Sequence, residues 1–269
     1  MTQNFEDIKK RQAAARKALS LLDLTSLNDN DSEQSIAELC AQTVHKDADG
    51  RELSVAAICI YPRFIPFARA ELRRLGRPQV RIATVSNFPH GRADLSAAVA
   101  ETAACVAYGA DEVDVVFPYQ AYLAGNKQIG HDLVSACKAE CGTRVKLKVI
   151  LETGELKDSL AIMQASEIAM AAGADFIKTS TGKVPVNATP EAARVMLQAI
   201  AGQPRPVGFK PAGGVKVLDD AVVYMNLVEE IVGSERLIPE YFRFGTSSLL
   251  RALLDELNIS TDQVTSGAY

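Results

Sequence analysis

Residues 145–181 read VKLKVILETGELKDSLAIMQASEIAMAAGADFIKTST, and this stretch decides the fold. It opens on a short apolar run, VKLKVILE (145–152). An alanine-rich run follows, SLAIMQASEIAMAAGA (159–174), ending beside Gly173. It closes on a second short run, DFIKTST (175–181). The outer runs have the length and apolar content of strands, and the middle run those of a helix. Strand, helix, strand at this spacing predicts two parallel strands joined by a crossover helix.

The same unit recurs outward in both directions. Upstream lie LLDLTSL (21–27), VAAICIY (55–61), VRIATVSNF (80–88) and DEVDVVF (111–117). Downstream lie RPVGFKPA (205–212) and YFRFGTS (241–247). Most intervening segments read as helices, ADLSAAVAETAACVAYGA (93–110) most clearly. Eight such units predict an α/β chain closed into a (β/α)8 TIM barrel, one domain spanning 1–269. An open doubly wound sheet is the alternative. The polar start, MTQNFEDIKKRQAAARKAL (1–19), predicts an N-terminal helical extension. From about residue 259 the chain is polar and reads as a flexible C-terminal tail.

Composition removes several function classes. Hydrophobic residues at 48% suffice for a large core, and 23% charged residues is a soluble balance. A net charge of −4 lacks the basic footprint of nucleic-acid binding. No run approaches the roughly 20 apolar residues of a membrane span, and the start lacks the apolar core of a secretory signal. Cys40, Cys59, Cys105, Cys137 and Cys141 are scattered and odd in number. They predict reduced thiols in a cytoplasmic protein.

Strand parity exposes the chemistry. Interior and helix-facing positions alternate along a barrel strand. In DEVDVVF, Val113, Val115 and Phe117 share one parity, and Glu112 and Asp114 the other. Lys148 opposes Leu147, Val149 and Leu151; Lys178 opposes Ile177; Lys210 opposes Val207 and Phe209. Turning the apolar parity toward the helices points Glu112, Asp114, Lys148, Lys178 and Lys210 inward. Buried charges are costly and rarely stabilise, so such a cluster needs a reason beyond interior ion pairing.

Amine chemistry supplies one. A lysine attacks a carbonyl only as the free amine, against an ordinary pKa of about 10.4. A second ammonium about 6 Å away, at an effective dielectric near 20, lowers that by roughly two units. Desolvation acts in the same direction, and a nearby Asp114 opposes it. Schiff-base catalysis also needs a proton shuttle, for which Asp114 with Lys210 is suited. His45, His90 and His131 read as surface or loop residues, and no histidine set suits a metal.

Glycine-rich turns follow three strands. GFKPAGGVK (208–216) places Gly213 and Gly214 after the seventh, and FGTSS (244–248) places Gly245, Ser247 and Ser248 after the eighth. STGK (180–183) adds Gly182 and Lys183 after the sixth. Such loops at a barrel mouth commonly hold a phosphate.

At these segments the sequence resembles the deoxyribose-phosphate aldolase family. The resemblance runs through LDLTSLNDND (22–31), AAICIYPRFIP (56–66), RIATVSNFPHG (81–91), YGADEVDVVFPY (108–119), LKVILETGELKD (147–158), GADFIKTSTGKVPVNATPE (173–191), VGFKPAGGV (207–215) and FRFGTSSLL (242–250). It implies the same barrel, no cofactor and no metal. It implies reversible cleavage of 2-deoxy-D-ribose 5-phosphate to acetaldehyde and D-glyceraldehyde 3-phosphate. It selects Lys178 as the Schiff-base lysine, Lys210 as the second active-site lysine and Asp114 as the acid–base group. It places Asp23, Thr25 and Lys148 along the sugar site and gives the terminal Tyr269 a part in proton transfer. A homodimer is the assembly it suggests. Lys216 departs from the arginine that some relatives carry after GGV, keeping the charge but losing the two-pronged fork. Rival readings are another Schiff-base aldolase, a metal-dependent barrel enzyme and a sugar-phosphate binder without turnover.

Overall fold

Eight short parallel strands carry the chain, in a computed structural model that describes residues 2–259. They are β1 (Leu22–Thr25), β2 (Ala57–Cys59), β3 (Arg81–Ser86), β4 (Glu112–Val116), β5 (Lys146–Ile150), β6 (Phe176–Lys178), β7 (Gly208–Lys210) and β8 (Phe244–Thr246). Their order is β8-β1-β2-β3-β4-β5-β6-β7, and every neighbouring pair is parallel. The two ends meet at a seam, where bridges pair Phe209 with Phe242 and Ala212 with Gly245. The TIM barrel is therefore nearly closed. All eight expected strands are present, each shorter than its apolar run, because the ladder ends where strands splay into loops.

Helices cover the outside. Leu95–Ala107, Ser159–Ala171 and Pro190–Ala201 start at Asp94, Asp158 and Thr189, whose side chains accept from the backbone N–H of Ala97, Ala161 and Ala192. Each such cap contributes about 1 kcal/mol. The outward parity of the strands is buried beneath these helices: Val113, Val115, Leu147, Val149 and Ile177 have no exposed surface. Removing each from water contributes about 1.5–3 kcal/mol. The expected N-terminal extension is the helix Thr2–Ser20, which packs beside Leu249–Glu256, donates from Arg11 to Glu256 and buries Ala15, Ala18 and Leu19.

Two local features differ from expectation. Val44–Lys46 and Glu52–Ser54 form an antiparallel hairpin outside the barrel. His45 lies on it, buried, with Nε2 2.9 Å from the Gln42 carbonyl, so it is not a surface or loop residue. His90 and His131 are exposed, as read from sequence. At the expected tail, Ile259 still packs on the core. Residues 260–269, with Tyr269, lie outside the described residues. Among the described residues no helix is long and apolar enough to cross a membrane.

Candidate active site

Strand register puts the interior charges side by side. Asp114 pairs with Lys148 across β4 and β5, and Lys178 with Lys210 across β6 and β7. All five residues read inward from parity, Glu112, Asp114, Lys148, Lys178 and Lys210, are at most 3% exposed. Asp114 is their hub. One carboxylate oxygen accepts from Lys148 at 2.8 Å. The other accepts from Lys178 at 2.9 Å and Lys210 at 2.8 Å. Lys148 also meets Glu112 at 2.6 Å.

The partners of each lysine set its proton affinity. Burial depresses Lys178; Asp114 opposes this and Lys210 reinforces it, leaving Lys178 below the ordinary lysine value. Burial also works against the Lys210 ammonium, but Asp114 and Asp23 outweigh it and hold it protonated. Lys148 is likewise raised, by Asp114 and Glu112 against burial. Burial would raise Asp114, yet the three lysines hold it well below the usual carboxylate range. One amine is therefore primed to lose its proton beside two that keep theirs.

Lys178 also differs in position. It forms part of the wall of a cavity of about 330 Å³ at the carboxyl ends of the strands. Thr25, Gly182, Lys183, Gly213, Gly214, Gly245, Ser247 and Ser248 line the same cavity, bringing the expected loops together. Gly182, Gly213 and Gly214 have φ of 84°, 75° and 85°, a region that side chains disfavour. A Cβ on Gly213 would lie 2.7 Å from Asn187. The helix Leu249–Glu256 starts directly after Ser248, adding a positive dipole end. Lys183 donates to the Leu27 carbonyl at 2.7 Å, tying the loop after β6 to the loop after β1. Lys216 lies on the same wall.

Asp23 and Lys148 are not among the lining residues. Both are fully buried beneath the cavity. Asp23 accepts from Lys210 at 2.5 Å and from Arg243 at 2.5 Å. Arg243 escaped the sequence reading, though parity marks it: Phe242 and Phe244 face one way, Arg243 and Gly245 the other. Glu152 also went unread. It lies two residues beyond β5 in the left-handed region (φ 59°), where Thr181 donates to its carboxylate at 2.6 Å through the hydroxyl and 3.2 Å through the amide. A second, small apolar cluster is built from Leu27, Cys59, Ala83 and Val85. Among the described residues no group of His, Cys, Asp and Glu is arranged to hold a metal ion.

A family model described as DeoC/LacD family aldolase matches residues 17–253. The chain belongs to the DeoC/LacD aldolase family. Solved structures agree on the barrel. A crystal structure from Toxoplasma gondii ME49, provisionally assigned as a deoxyribose-phosphate aldolase, superposes with TM-score 0.82 at 22% identity, covering 95% of this chain and 98% of that one. The tetrameric deoxyribose phosphate aldolase of Aeropyrum pernix gives 0.71 at 23% identity, covering 94% and 97%. An aldolase named QR15 gives 0.73 at 27% identity, covering 90% and 96%. As a DeoC/LacD aldolase, the chain carries its interior lysines on strands that all these barrels share in outline.

Proposed function

We propose that this DeoC/LacD aldolase reversibly cleaves 2-deoxy-D-ribose 5-phosphate to acetaldehyde and D-glyceraldehyde 3-phosphate through a Schiff base on Lys178. The observation that carries the reading is the contrast between two lysines on one carboxylate. Among the described residues Lys178 is paired with Asp114 and faces the cavity, whereas Lys210 is held by both Asp114 and Asp23. The Lys178 amine attacks the sugar aldehyde carbon, and the carbinolamine loses water to give an iminium. The hydroxyl on the third carbon then gives up its proton, and the bond between the second and third carbons breaks. Glyceraldehyde 3-phosphate leaves; the enamine left on Lys178 is protonated and hydrolysed to acetaldehyde. Asp114 with Lys210 moves these protons. The loops carrying Gly182, Lys183, Gly213, Gly214, Gly245, Ser247 and Ser248 receive the phosphate, and Thr25 faces the sugar. Tyr269 belongs to the same reading as a proton-transfer group. So do a single barrel domain, a homodimer, a cytoplasmic setting and a place in deoxyribonucleotide breakdown.

Trapping tests the reading. The protein is incubated with acetaldehyde and borohydride, digested, and mapped by mass spectrometry. The expected adduct is on Lys178. An adduct on Lys148 or Lys210 instead, or none at all, refutes the assignment. Removing Tyr269 is expected to slow turnover while leaving the trapped adduct intact. Unchanged turnover takes Tyr269 out of the mechanism.

A further inference from the structure

Arg243 is fully buried, yet it does not line the cavity and touches no group that meets substrate in the proposed reaction except through Asp23 and Glu112. Its backbone is locked into the seam, donating to the Phe209 carbonyl at 3.1 Å. Nε donates to the Pro239 carbonyl at 2.5 Å. One terminal nitrogen reaches Asp23 at 2.5 Å and Glu112 at 3.2 Å, and the other reaches Glu112 at 2.7 Å. The Phe176 ring faces the guanidinium at 5.9 Å. An arginine so placed is a fixed charge, because it does not deprotonate in proteins.

Among the described residues the connected interior holds three carboxylates, Asp23, Glu112 and Asp114. Against them stand four cations, Lys148, Lys178, Lys210 and Arg243. Arg81 on β3 also reaches Glu112, at 3.2 Å, but from a partly exposed position shared with Glu240. Glu152 approaches Lys178 from two residues beyond β5 with its carboxylate engaged by Thr181. Cys59 approaches from β2, its thiol pushed up by burial and so uncharged. A low-dielectric interior disfavours net charge, so one proton is in excess. Arg243 cannot release it. Lys148 has three carboxylates, Glu112 at 2.6 Å, Asp114 at 2.8 Å and Asp23 at 3.6 Å, and Lys210 has two, at 2.5 and 2.8 Å. Lys178 has one, at 2.9 Å.

We propose that Arg243 is a positioning residue whose fixed charge makes Lys178 the interior lysine that gives up its proton. Without it, three lysines face three carboxylates and no proton is in excess. The inference rests on Lys178 being the Schiff-base residue, so wild-type trapping comes first; an adduct elsewhere defeats that reading before Arg243 is tested. The decisive measurement is the pH dependence of trapping rate and of kcat/KM. In Arg243→Met the midpoint is expected to move up by about one pH unit, with most of the rate recovered at high pH. Arg243→Lys keeps the midpoint, because an ammonium held between Asp23 and Glu112 retains its proton as Lys148 and Lys210 do. Glu112→Gln removes a carboxylate and moves the midpoint the opposite way, downward. A folded Arg243→Met with a lower rate at every pH and an unmoved midpoint overturns the proposal. If Arg243→Met does not fold, Glu112→Gln and Arg243→Lys decide. A midpoint that stays or rises in Glu112→Gln, or shifts in Arg243→Lys, overturns it equally.

Discussion

At the scale of single residues, Lys178 is set apart by what it lacks. It is buried like Lys148 and Lys210, but among the described residues a single carboxylate, Asp114, pairs with it directly. Replacing it with leucine keeps the volume filled and removes the amine. Lys178→Leu is expected to bring cleavage to background with circular dichroism unchanged; residual turnover above background contradicts the Schiff-base route. Asp114 is more exposed to failure, since three ammonium groups depend on it. Asp114→Asn is expected to reduce kcat by about 10²–10⁴-fold. It should also cost about 3–5 kcal/mol in urea unfolding, as for other buried pairs that lose one partner. A variant with full stability would mean that the lysines shed their protons at little cost.

Among the elements, the closing seam is the most demanding. β7 has room for only glycine at its first position, because a Cβ on Gly208 would lie 2.3 Å from the Phe176 ring. Gly208→Ala is expected to lose about 1–3 kcal/mol, read by urea midpoint, as an overpacked core does. At the mouth, Gly213→Ala meets both a left-handed φ and Asn187. It is expected to raise KM for a phosphorylated aldehyde far more than for an unphosphorylated one, and equal changes would remove the loop from phosphate binding. Much of this layout was legible in sequence because a strand's two faces alternate strictly. That rule found Glu112, Asp114, Lys148, Lys178 and Lys210 without any tertiary information. The same rule marks Arg243, since its aromatic neighbours Phe242 and Phe244 share the opposite parity. The hairpin at 44–54 was also readable, since Asp47, Asp49 and Gly50 form a turn between short strands. Glu152 was not readable: nothing local signals a left-handed backbone at a glutamate. Nor does parity say that Asp23 lies under the cavity rather than along it, because depth depends on stagger between strands.

For the whole molecule, the charge network links fold to pH. Asp23, Glu112 and Asp114 are all held below the usual carboxylate range; burial opposes this and the surrounding cations outweigh it. Carboxylates with depressed folded values stabilise the protein above about pH 4, and that contribution is lost as pH falls further toward those values. Lys148 and Lys210 are raised, so their contribution is complete below the ordinary lysine value and lost as pH climbs past it. Thermal unfolding is therefore expected to show a plateau at neutral pH, falling below about pH 4 and above about pH 10. A melting temperature flat from pH 3 to 7 would contradict the acid limb. The interior network also bears on how such a barrel changes over generations. Removing any one of its three carboxylates leaves a further unmatched cation sealed from water. A path to a different set of charges must then cross a poorly folded or inactive intermediate, or change two positions at once. The loops above carry no such barrier, so substrate preference is free to drift while the amine beneath stays fixed.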